Sequence, residues 1–400
     1  MTANQTPRLL IVGPLPPPIN GTGVSFQLFC DELAHYPARH NTDLQFKIID
    51  SSPRRLKEKN NLFSLADQAQ TLRILLQFCR HVWWADHVMV FGSTGFLLMI
   101  VPLLLVIAKI ARKPYYVRAF GGSLDRFSAE LPPMLRRLLL FTLRRADGLL
   151  VQTQWLYDHF RPLIGDSVHL VPGYRGMAEA ALTPKPLTTP EQPLRLAFVG
   201  IVKAEKGVFT LLESLRQLDA AGNRTVECHI FGPQSDSSVE RFNAEIGAMR
   251  NARYQGVLKP GTVVTTLRDY DALVLPSTYE GEGHPGVLIE AMMAGIPAIA
   301  ANFRAIPELI EHGRNGLLVA PEDAGSLADA IRTLDENREL LAEMSRQNWE
   351  RRTAYDARHV IPLLLQPLGL DLGNNKSSLP KGRNRHKKHK IHKGLRAKFL

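Results

Sequence analysis

The stretch that decides the fold is "LRLAFVG", Leu194–Gly200, a short apolar run that ends in glycine. The same pattern occurs near the start of the chain in "RLLIVG", Arg8–Gly13, and again in "DHVMVFG", which ends at Gly92. Helical patterns such as Val208–Ala220 lie between runs of this kind. Continuous apolar strands that alternate with helices are typical of parallel sheets covered on both faces, so the sequence predicts an α/β protein.

The strand and helix pattern begins twice, near Arg8 and near Leu194, and a stretch rich in proline and threonine separates the two parts. Such a composition is typical of a linker. We therefore expect two Rossmann-like, doubly wound parallel-sheet domains that face each other across a cleft, with ligands at the carboxyl ends of the strands. The expected divisions are a first domain at 1–185, a linker at 186–193, a second domain at 194–345, a C-terminal helical segment at 346–372 that packs on the first domain, and a basic disordered tail at 373–400.

The formal net charge of +11 is concentrated at the C-terminus. Residues 376–400 hold ten Lys or Arg and no acid, which leaves 39 basic and 38 acidic residues in the rest of the chain. The body is therefore nearly neutral, and we do not expect nucleic acid as its partner. The tail attracts polyanions in general, and an anionic membrane surface, RNA and acidic polysaccharide all fit it.

The cysteines and the apolar runs bear on the cellular location. The three cysteines are far apart and match neither a metal spacing nor a disulfide framework, which suits a reducing cytoplasm. The longest uncharged apolar run, Phe96–Ala108, contains Pro102 and is shorter than the ~20 residues that a membrane span needs. Leu9–Val12 is too short for a signal peptide. We expect a cytoplasmic protein, with peripheral attachment to the inner membrane face as a hypothesis.

Two glutamates, Glu282 and Glu290, stand eight residues apart in "GEGHPGVLIEAMMAG". A strand is predicted just before, at Tyr270–Ser277, and a helix over Val287–Ala294, with Glu290 in its first turn on a largely buried face. One interpretation of such a pair is that Glu290 caps its own helix and Glu282 is solvated. The order of strand, polar loop and helix N-terminus favours a ligand site instead, because free N–H groups suit an anion and a carboxylate accepts ribose hydroxyls.

The longer stretch "STYEGEGHPGVLIEAMMAGIPAIA" resembles the paired-glutamate region of retaining glycosyltransferases with the GT-B fold, the large family 4 or glycosyl transferases group 1 type. The resemblance extends to "VGIVKAEKG" (Val199–Gly207), "ADGLLVQT" (Ala146–Thr153) and "AIPELIEHGRNGLLVAPED" (Ala305–Asp323). It covers most of the chain, is densest in the second half and points to the bacterial surface-polysaccharide branch. It implies that the second domain binds a nucleotide sugar and that the first lies on the acceptor side.

The resemblance implies a role for each matching residue. Glu290 holds the nucleotide ribose, and the amides of Gly286 and Val287 face the sugar and phosphate. Two residues are assigned to catalysis: Glu282 lies near the hydroxyls of the donor sugar, and Lys206 neutralises the departing diphosphate. The alternative for Lys206 alone is an exposed lysine at the start of a helix.

Two positions depart from the family pattern. Ile201 stands where the family commonly has an arginine that contacts phosphate, and our hypothesis is that Lys203 substitutes for it; otherwise Lys206 and the helix dipole suffice. Arg118 stands where the family often has a histidine on the donor sugar. A sugar contact and a plain salt bridge are equally open interpretations of Arg118.

The first half of the chain has its own glycine motif. Gly21, Thr22 and Gly23 open a predicted helix and resemble the family's glycine loop, whose amides approach the donor phosphate. The alternative is a plain turn from strand to helix. The spacing is not Gly-x-Gly-x-x-Gly, so nicotinamide binding is disfavoured even though Asp50 ends the second strand.

The resemblance implies transfer of a sugar from a nucleotide-diphosphate donor to a hydroxyl acceptor with retention, in polysaccharide, O-antigen or exopolysaccharide biosynthesis. We expect no cofactor and no metal, because no Asp-x-Asp-type carboxylate pair and no His/Cys cluster suggests one and GT-B enzymes usually work without a metal. A lipid-linked saccharide is the hypothetical acceptor. The alternatives are a nucleotide-sugar epimerase of the same fold and a non-catalytic protein that binds sugar nucleotides or polyanions.

Two apolar stretches of the first half allow two interpretations. Leu131–Asp147 carries two pairs of arginines among apolar residues, and Phe96–Ala108 is uncharged. Together with the tail they fit an anionic membrane surface. Alternatively, both are buried helices of the first domain and the arginines are ordinary surface residues, which we favour slightly.

Overall fold

The computed structural model describes residues 6–17, 20–40, 43–52, 65–178, 183, 191–223, 225–259 and 261–370. The predicted tail at 373–400 and residues 186–190 of the predicted linker lie outside the described residues. None of the described helices is long and apolar enough to cross a membrane.

The first half of the chain alternates strands and helices. The strands are β1 (Arg8–Gly13), β2 (Gln45–Asp50), β3 (His87–Gly92), β4 (Tyr115–Ala119), β5 (Gly148–Val151) and β6 (Val168–Leu170). The helices are α1 (Gly21–His40), α2 (Leu65–Val82), α3 (Thr94–Met99), α4 (Val101–Ile110), α5 (Leu124–Glu130), α6 (Pro133–Arg145) and α7 (Gln154–Ile164). All neighbouring strands are parallel, and their order in the sheet is β2-β1-β3-β4-β5-β6.

The second half repeats the scheme. Its strands are β7 (Leu194–Val199), β8 (Val226–Phe231), β9 (Ala252–Tyr254), β10 (Ala272–Leu275), β11 (Ala298–Ala301) and β12 (Gly316–Val319). Its helices are α8 (Val208–Ala220), α9 (Val239–Gly247), α10 (Val263–Leu267), α11 (Gly286–Ala294), α12 (Ala324–Glu336) and α13 (Arg338–Arg351). Helix α14 (Ala357–Leu365) follows them in the chain. Short 3₁₀ turns occur at Ala204–Lys206, Ile306–Glu308 and Gln366–Leu368. The parallel order is β12-β11-β10-β7-β8-β9.

Each sheet is covered on both faces by apolar side chains. In β7, Leu194, Leu196 and Phe198 belong to the core under α8 and α12, whereas Ala197 belongs to the opposite core under α10 and α11. This is the two-residue alternation of a strand with both faces buried. The first sheet has α2, α4, α6 and α7 on one face and α1 and α14 on the other. The prediction of two doubly wound parallel-sheet domains is confirmed.

The chain returns to the first domain just before α14. Helix α13 packs against α11 and α12, and α14 packs against α1. Arg175, which follows β6, exchanges main-chain hydrogen bonds with this return segment: its N–H donates to Tyr355 O at 3.0 Å, and its carbonyl accepts from Ala357 N at 2.8 Å. The division expected at 345/346 falls inside α13, because the apolar side of that helix belongs to the second core.

The second sheet has its switch point between β7 and β10. These central strands are neighbours, but the chain leaves β7 towards β8 and leaves β10 towards β11, so the two following loops diverge and leave a crevice. The loops also touch. Gly207 has φ +78°, and a Cβ atom built there would lie 2.1 Å from Pro276 O. A residue without a side chain is therefore required directly after Lys206, and this contact fixes the lysine at the crevice.

Gly207 and Gly222 provide a matched pair of substitutions. Gly222 ends α8 with φ +82° but has open space where a Cβ would stand. We expect Gly222→Ala to cost about 1–2 kcal/mol, the penalty of the left-handed conformation alone. Gly207→Ala should cost about 1–3 kcal/mol more, because it also forces overlap with the end of β10. Chemical unfolding of both variants measures the difference, and equal losses would show that the Pro276 contact is unimportant.

Candidate active site

The predicted catalytic pair meets at the switch point. The ammonium of Lys206 is in direct contact with Oε1 of Glu282, and Ser277 Oγ donates to the same oxygen at 3.1 Å. Glu282 is 8% exposed, so its carboxylate is buried rather than solvated. A buried carboxylate needs a paired charge and hydrogen bonds, and here it has both. The structure therefore brings together residues that are 76 positions apart in sequence.

The ring of Tyr279 lies beside both predicted lysines, Lys203 and Lys206. Lys203 Nζ lies 4.0 Å and Lys206 Nζ 4.7 Å from the centroid of the Tyr279 ring, which attracts cations through its π-electrons. Ile201, at the position of the missing arginine, is 44% exposed. Two ammonium groups thus converge on one ring at the edge of the crevice. Lys203 Nζ also lies 4.0 Å from Oε2 of Glu205, and its substitution for the missing arginine stays a prediction.

Glu290 is paired with an arginine from the first half of the chain. Its Oε1 lies 3.3 Å from Nε of Arg175. Burial raises the pKa of the Glu290 carboxyl above its ordinary value, and the Arg175 guanidinium opposes this shift. The same guanidinium donates from Nη1 to Ser25 Oγ at 2.8 Å. Arg175 therefore joins Glu290 on α11 to the first turns of α1.

Two details of Glu290 differ from the sequence prediction. Helix α11 begins at Gly286, so Glu290 is its fifth residue and lies in the second turn, not the first. Pro285 at the N-cap makes no side-chain hydrogen bond, and the Glu290 carboxylate is paired with Arg175. The Arg175 guanidinium also lies against the first turn of α11, because a Cβ atom built on Gly286 would lie 1.6 Å from Nη2 of Arg175. Anion binding by the amides of Gly286 and Val287 stays a prediction.

The glycine motif opens α1 as predicted, but part of it is already occupied. The amide of Gly23 donates to Asn20 Oδ1 at 2.8 Å, and the Thr22 hydroxyl donates to the same oxygen at 2.7 Å. Asn20 thus acts as the cap of α1. Gly21 is exposed and remains the more accessible of the two glycines. The motif lies near Glu290 through Ser25 and Arg175, and its phosphate-binding role stays a prediction.

Arg118 lies in neither of the environments expected for it. The side chain is fully buried, and its guanidinium donates to the carbonyls of Val151, Val171 and Pro172 at 2.7–3.1 Å. Burial lowers the pKa of Arg118 to about 10. The salt-bridge interpretation is wrong, because carbonyl dipoles take the place of a carboxylate. A sugar contact is closed to the guanidinium in this arrangement, and Arg118 instead fixes the ends of β5 and β6.

The loop that carries Glu282 also touches the first domain. The amide of Gly122 donates to Gly281 O at 3.1 Å. A Cβ atom built on Gly122 would lie 1.6 Å from the carbonyl oxygen of Glu282, so the two main chains approach more closely than any side chain would allow. The carboxyl end of β4 therefore lies directly against the candidate site.

A second contact between the domains runs through His284. Its Nδ1 accepts from the Gly173 amide at 3.2 Å, so the ring proton must be on Nε2, which lies 3.1 Å from Glu308 Oε2. Glu308 in turn accepts from the amides of Gln154 and Trp155 at 2.7 and 3.0 Å. These are the first two residues of α7, so a carboxylate of the second domain caps a helix of the first.

A third contact is an ion-pair network. Arg304 donates from Nη2 to Gly122 O at 2.5 Å and to Asp125 Oδ1 at 2.6 Å, and from Nη1 to Glu280 Oε2 at 3.0 Å. Arg126 closes the network through Glu280 Oε1 at 2.8 Å. Ion pairs of Arg304 and Arg126 therefore join the two domains next to the Gly122 contact.

Among the described residues, no three His, Cys, Asp or Glu side chains are grouped closely enough to hold a metal ion.

Asp50, which ends the second strand, was considered above in connection with nicotinamide binding. Its Oδ1 accepts hydrogen bonds from the amides of nearby residues, Leu15 at 3.1 Å and Ser52 at 2.8 Å.

Known proteins resemble this chain in sequence and in fold. The family model described as "Glycosyl transferases group 1" matches residues 181–351, which include Lys203, Lys206, Glu282 and Glu290. This part of the chain is thus similar to the glycosyl transferases group 1 family.

Two relatives and one solved structure illustrate the likeness. Glycogen synthase of Mycobacterium tuberculosis is 28% identical over 209 residues, which are 52% of this chain and 50% of that protein. WcaL of Escherichia coli K12, named as a candidate glycosyltransferase of colanic acid biosynthesis, is 29% identical over 164 residues, 39% of each chain. The chain thus matches half or less of the length of these relatives.

The solved structure is HepE of Anabaena in complex with UDP. It superimposes with a TM-score of 0.68 at 15% identity, over 91% of this chain and 99% of HepE. A likeness at this identity shows the fold, which is the GT-B arrangement of two facing domains. The fold predicted from the sequence is confirmed.

Sequence reasoning missed four residues that complete the site and its surroundings: Arg175, Tyr279, His284 and Glu308. The strongest signal for them was position: Tyr279 and His284 flank Glu282 within the same loop. Arg175 and Glu308 act on residues more than 100 positions away. Glu308 lies in the quoted stretch Ala305–Asp323, but nothing in that stretch indicates a contact with α7, and no local pattern marks Arg175.

Glu308→Ala tests the cap across the domains. Loss of a helix cap costs about 1–2 kcal/mol, so hydrogen exchange at the Gln154 and Trp155 amides should accelerate roughly five- to thirtyfold. The Leu156 amide is an internal control, because it donates to Thr153 of its own domain at 3.1 Å. Equal acceleration at all three amides would mean that α7 frays as a whole and that Glu308 is not a specific cap.

Proposed function

We propose that the protein transfers a sugar from a nucleotide-diphosphate donor to a hydroxyl acceptor with retention of the anomeric configuration and without a metal. The observation that carries this proposal is the convergence of Lys206, Lys203, Glu282 and the uncapped start of α11 at the switch point. The similarity of residues 181–351 to glycosyl transferases group 1 and the UDP bound to HepE support it.

The pair formed by Lys206 and Glu282 suggests how the donor enters. Without a ligand the two buried charges compensate each other, which avoids the cost of an isolated buried ion. A diphosphate is a stronger partner for the ammonium, and the hydroxyls of the donor sugar are donors for the carboxylate. Donor binding then replaces one internal ion pair by two complementary contacts, with Lys203 as an additional cation for the phosphates.

The nucleoside is assigned to Glu290. Its carboxylate accepts the two ribose hydroxyls, and the Arg175 guanidinium opposes the rise in the Glu290 pKa that burial causes. Gly286 and Val287 offer main-chain N–H groups to the diphosphate from the start of α11. Glu282 thus contacts the sugar end of the donor and Glu290 the nucleoside end. One unit of strand, loop and helix carries both glutamates and therefore binds both ends of the donor.

The chemical step depends on leaving-group departure. The barrier lies in breaking the bond between the anomeric carbon and the diphosphate oxygen, while negative charge accumulates on the phosphate. Lys206, Lys203 and the α11 dipole stabilise this charge. The departing phosphate itself removes the acceptor's proton, and the seam around Gly122 excludes the water that would otherwise hydrolyse the donor.

The acceptor is assigned to a hydroxyl of a lipid-linked saccharide in the cytoplasm. The reaction is assigned to polysaccharide, O-antigen or exopolysaccharide biosynthesis. Support comes from WcaL and glycogen synthase, both named for polysaccharide synthesis. The ten basic residues at 376–400 fit an anionic inner membrane face, where such acceptors are held.

Nucleotide binding tests the donor site. Thermal stabilisation by UDP, GDP, ADP and CMP is measured in the presence of chelator for the wild type, Glu290→Gln, Lys206→Ala and Lys203→Ala. One diphosphate at 100 times its dissociation constant should add about 2.7 kcal/mol to the wild type. Each lost charge-assisted contact should weaken affinity by about tenfold or more.

Lys259→Ala is the matched control, because Lys259 is an exposed lysine of the same domain. Its variant should bind like the wild type. Stabilisation by no diphosphate would contradict the donor site, and unchanged affinity in Lys203→Ala would contradict its substitution for the missing arginine.

The raised pKa of Glu290 predicts a pH dependence. Ribose hydroxyls donate to the ionised carboxylate, so diphosphate affinity should fall as pH decreases through the raised pKa, above the range of an ordinary glutamate. The Glu290→Gln variant has no ionisable group at this position, so its profile of affinity against pH should show only the titration of the phosphate at pH ~6. Calorimetric titrations across this range measure the difference between the profiles. Parallel profiles would show that Glu290 does not titrate with binding.

A further inference from the structure

One face of the first domain exposes an unusual amount of apolar surface. Among the described residues, sixteen large hydrophobic side chains are exposed, and eleven of them belong to α2–α4, α6 and the residue directly after α2. They are Leu72, Leu76, Trp83, Met99, Leu103, Val106, Ile110, Met134, Leu135, Leu138 and Phe141. Monomeric proteins rarely leave such apolar groups clustered in water, so this outer face indicates a docking surface.

The apolar residues form stripes on neighbouring helices. Helix α4 packs against α2 on one side and α6 on the other. Leu103, Val106 and Ile110 follow the spacing i, i+3, i+7 on α4, and Met134, Leu138 and Phe141 follow i, i+4, i+7 on α6. The opposite sides of both helices pack in the core of the first domain, so the two stripes face outward from the sheet.

Basic residues outnumber acids around the stripes. Residues 65–113 and 130–147 contain nine Lys or Arg and four acids, of which Asp86 is paired with Arg8 and Asp147 with Lys109. Four of the cations are arginines of α6, and all four are exposed. Arg145 lies 5.4 Å over the ring of Phe141, so apolar and cationic groups occupy the same strip of surface.

We propose that this outer face of α2, α4 and α6 docks on an anionic lipid surface. Apolar side chains enter the boundary between headgroups and acyl chains, while the arginines pair with lipid phosphates. A second copy of the chain fits the face less well, because α6 has four arginines and no acid, so a two-fold contact along it would place arginines opposite arginines.

The face is adjacent to the candidate active site. Helix α5, whose Asp125 takes part in the contact between the domains, leads directly into α6. The N-terminal ends of α4 and α6 follow the carboxyl ends of β3 and β4, which is the edge of the sheet that meets the second domain. Docking would therefore hold the crevice close to the membrane plane, within reach of an acceptor that is anchored in lipid.

Co-sedimentation of the full chain with vesicles tests this inference. Vesicles of phosphatidylcholine with and without phosphatidylglycerol are compared at low and high salt. Wild type should sediment only with phosphatidylglycerol. Arg137→Gln with Arg145→Gln should weaken binding about fivefold for each charge at low salt, and Phe141→Ser about tenfold at both salt concentrations. Quenching of Trp83 fluorescence by brominated lipid, lost in Trp83→Phe, reports insertion directly.

The controls separate the face from the tail, which all variants retain. Arg332→Gln and Val257→Ser alter a half-buried arginine and an exposed valine of the second domain and should leave binding unchanged. Three results would overturn the inference: no sedimentation of the wild type, equal sedimentation of the face variants, or a dimer that Phe141→Ser dissociates in light scattering. Because the assay contains no sugar donor or acceptor, its outcome is independent of the proposed transfer reaction.

Discussion

Charge buried where the two sheets meet is the constraint on which the rest of this structure depends. Parallel strands gather all their carboxyl ends at one edge, and two such edges face each other here. Glu282, Glu290, Asp125 and Arg304 are all placed there, and each is held by a partner of opposite charge. Because an unpaired buried ion is far more costly than a paired one, these partners fix where the domains touch and which groups remain for a ligand.

The local parts of this arrangement follow from the sequence. Helix α8 occupies Val208–Ala220 as its apolar period predicts, and α11 starts one residue before the predicted Val287. Strand, glycine and helix recur because each is set by residues a few positions apart. Arg175 and Glu308 escaped prediction, because each acts on residues more than 100 positions away and only the folded chain brings them there.

Burial of the first-domain helices shows a second limit of sequence reasoning. Helix α4 is apolar around most of its circumference, so its sequence does not reveal which side faces the sheet. The slight preference for two fully buried helices is correct for Leu104 and Leu105 and wrong for Leu103 and Val106. Arg118 shows the converse, since an arginine that donates to three carbonyls at a strand end has no mark in sequence that separates it from a ligand contact.

A single loop connects the candidate site to the contact between the domains. Within four residues, Tyr279 carries the two lysines, Glu280 joins Arg304, Gly281 accepts from Gly122, and Glu282 pairs with Lys206. A donor that displaces Lys206 from Glu282 must act on a segment whose other residues hold the domains together. Binding free energies are reciprocal, so any change in domain contact caused by the donor implies an equal effect of that contact on donor affinity. Under the proposed mode of donor binding, the short spacing within this loop couples capture of the donor to the contact between the domains.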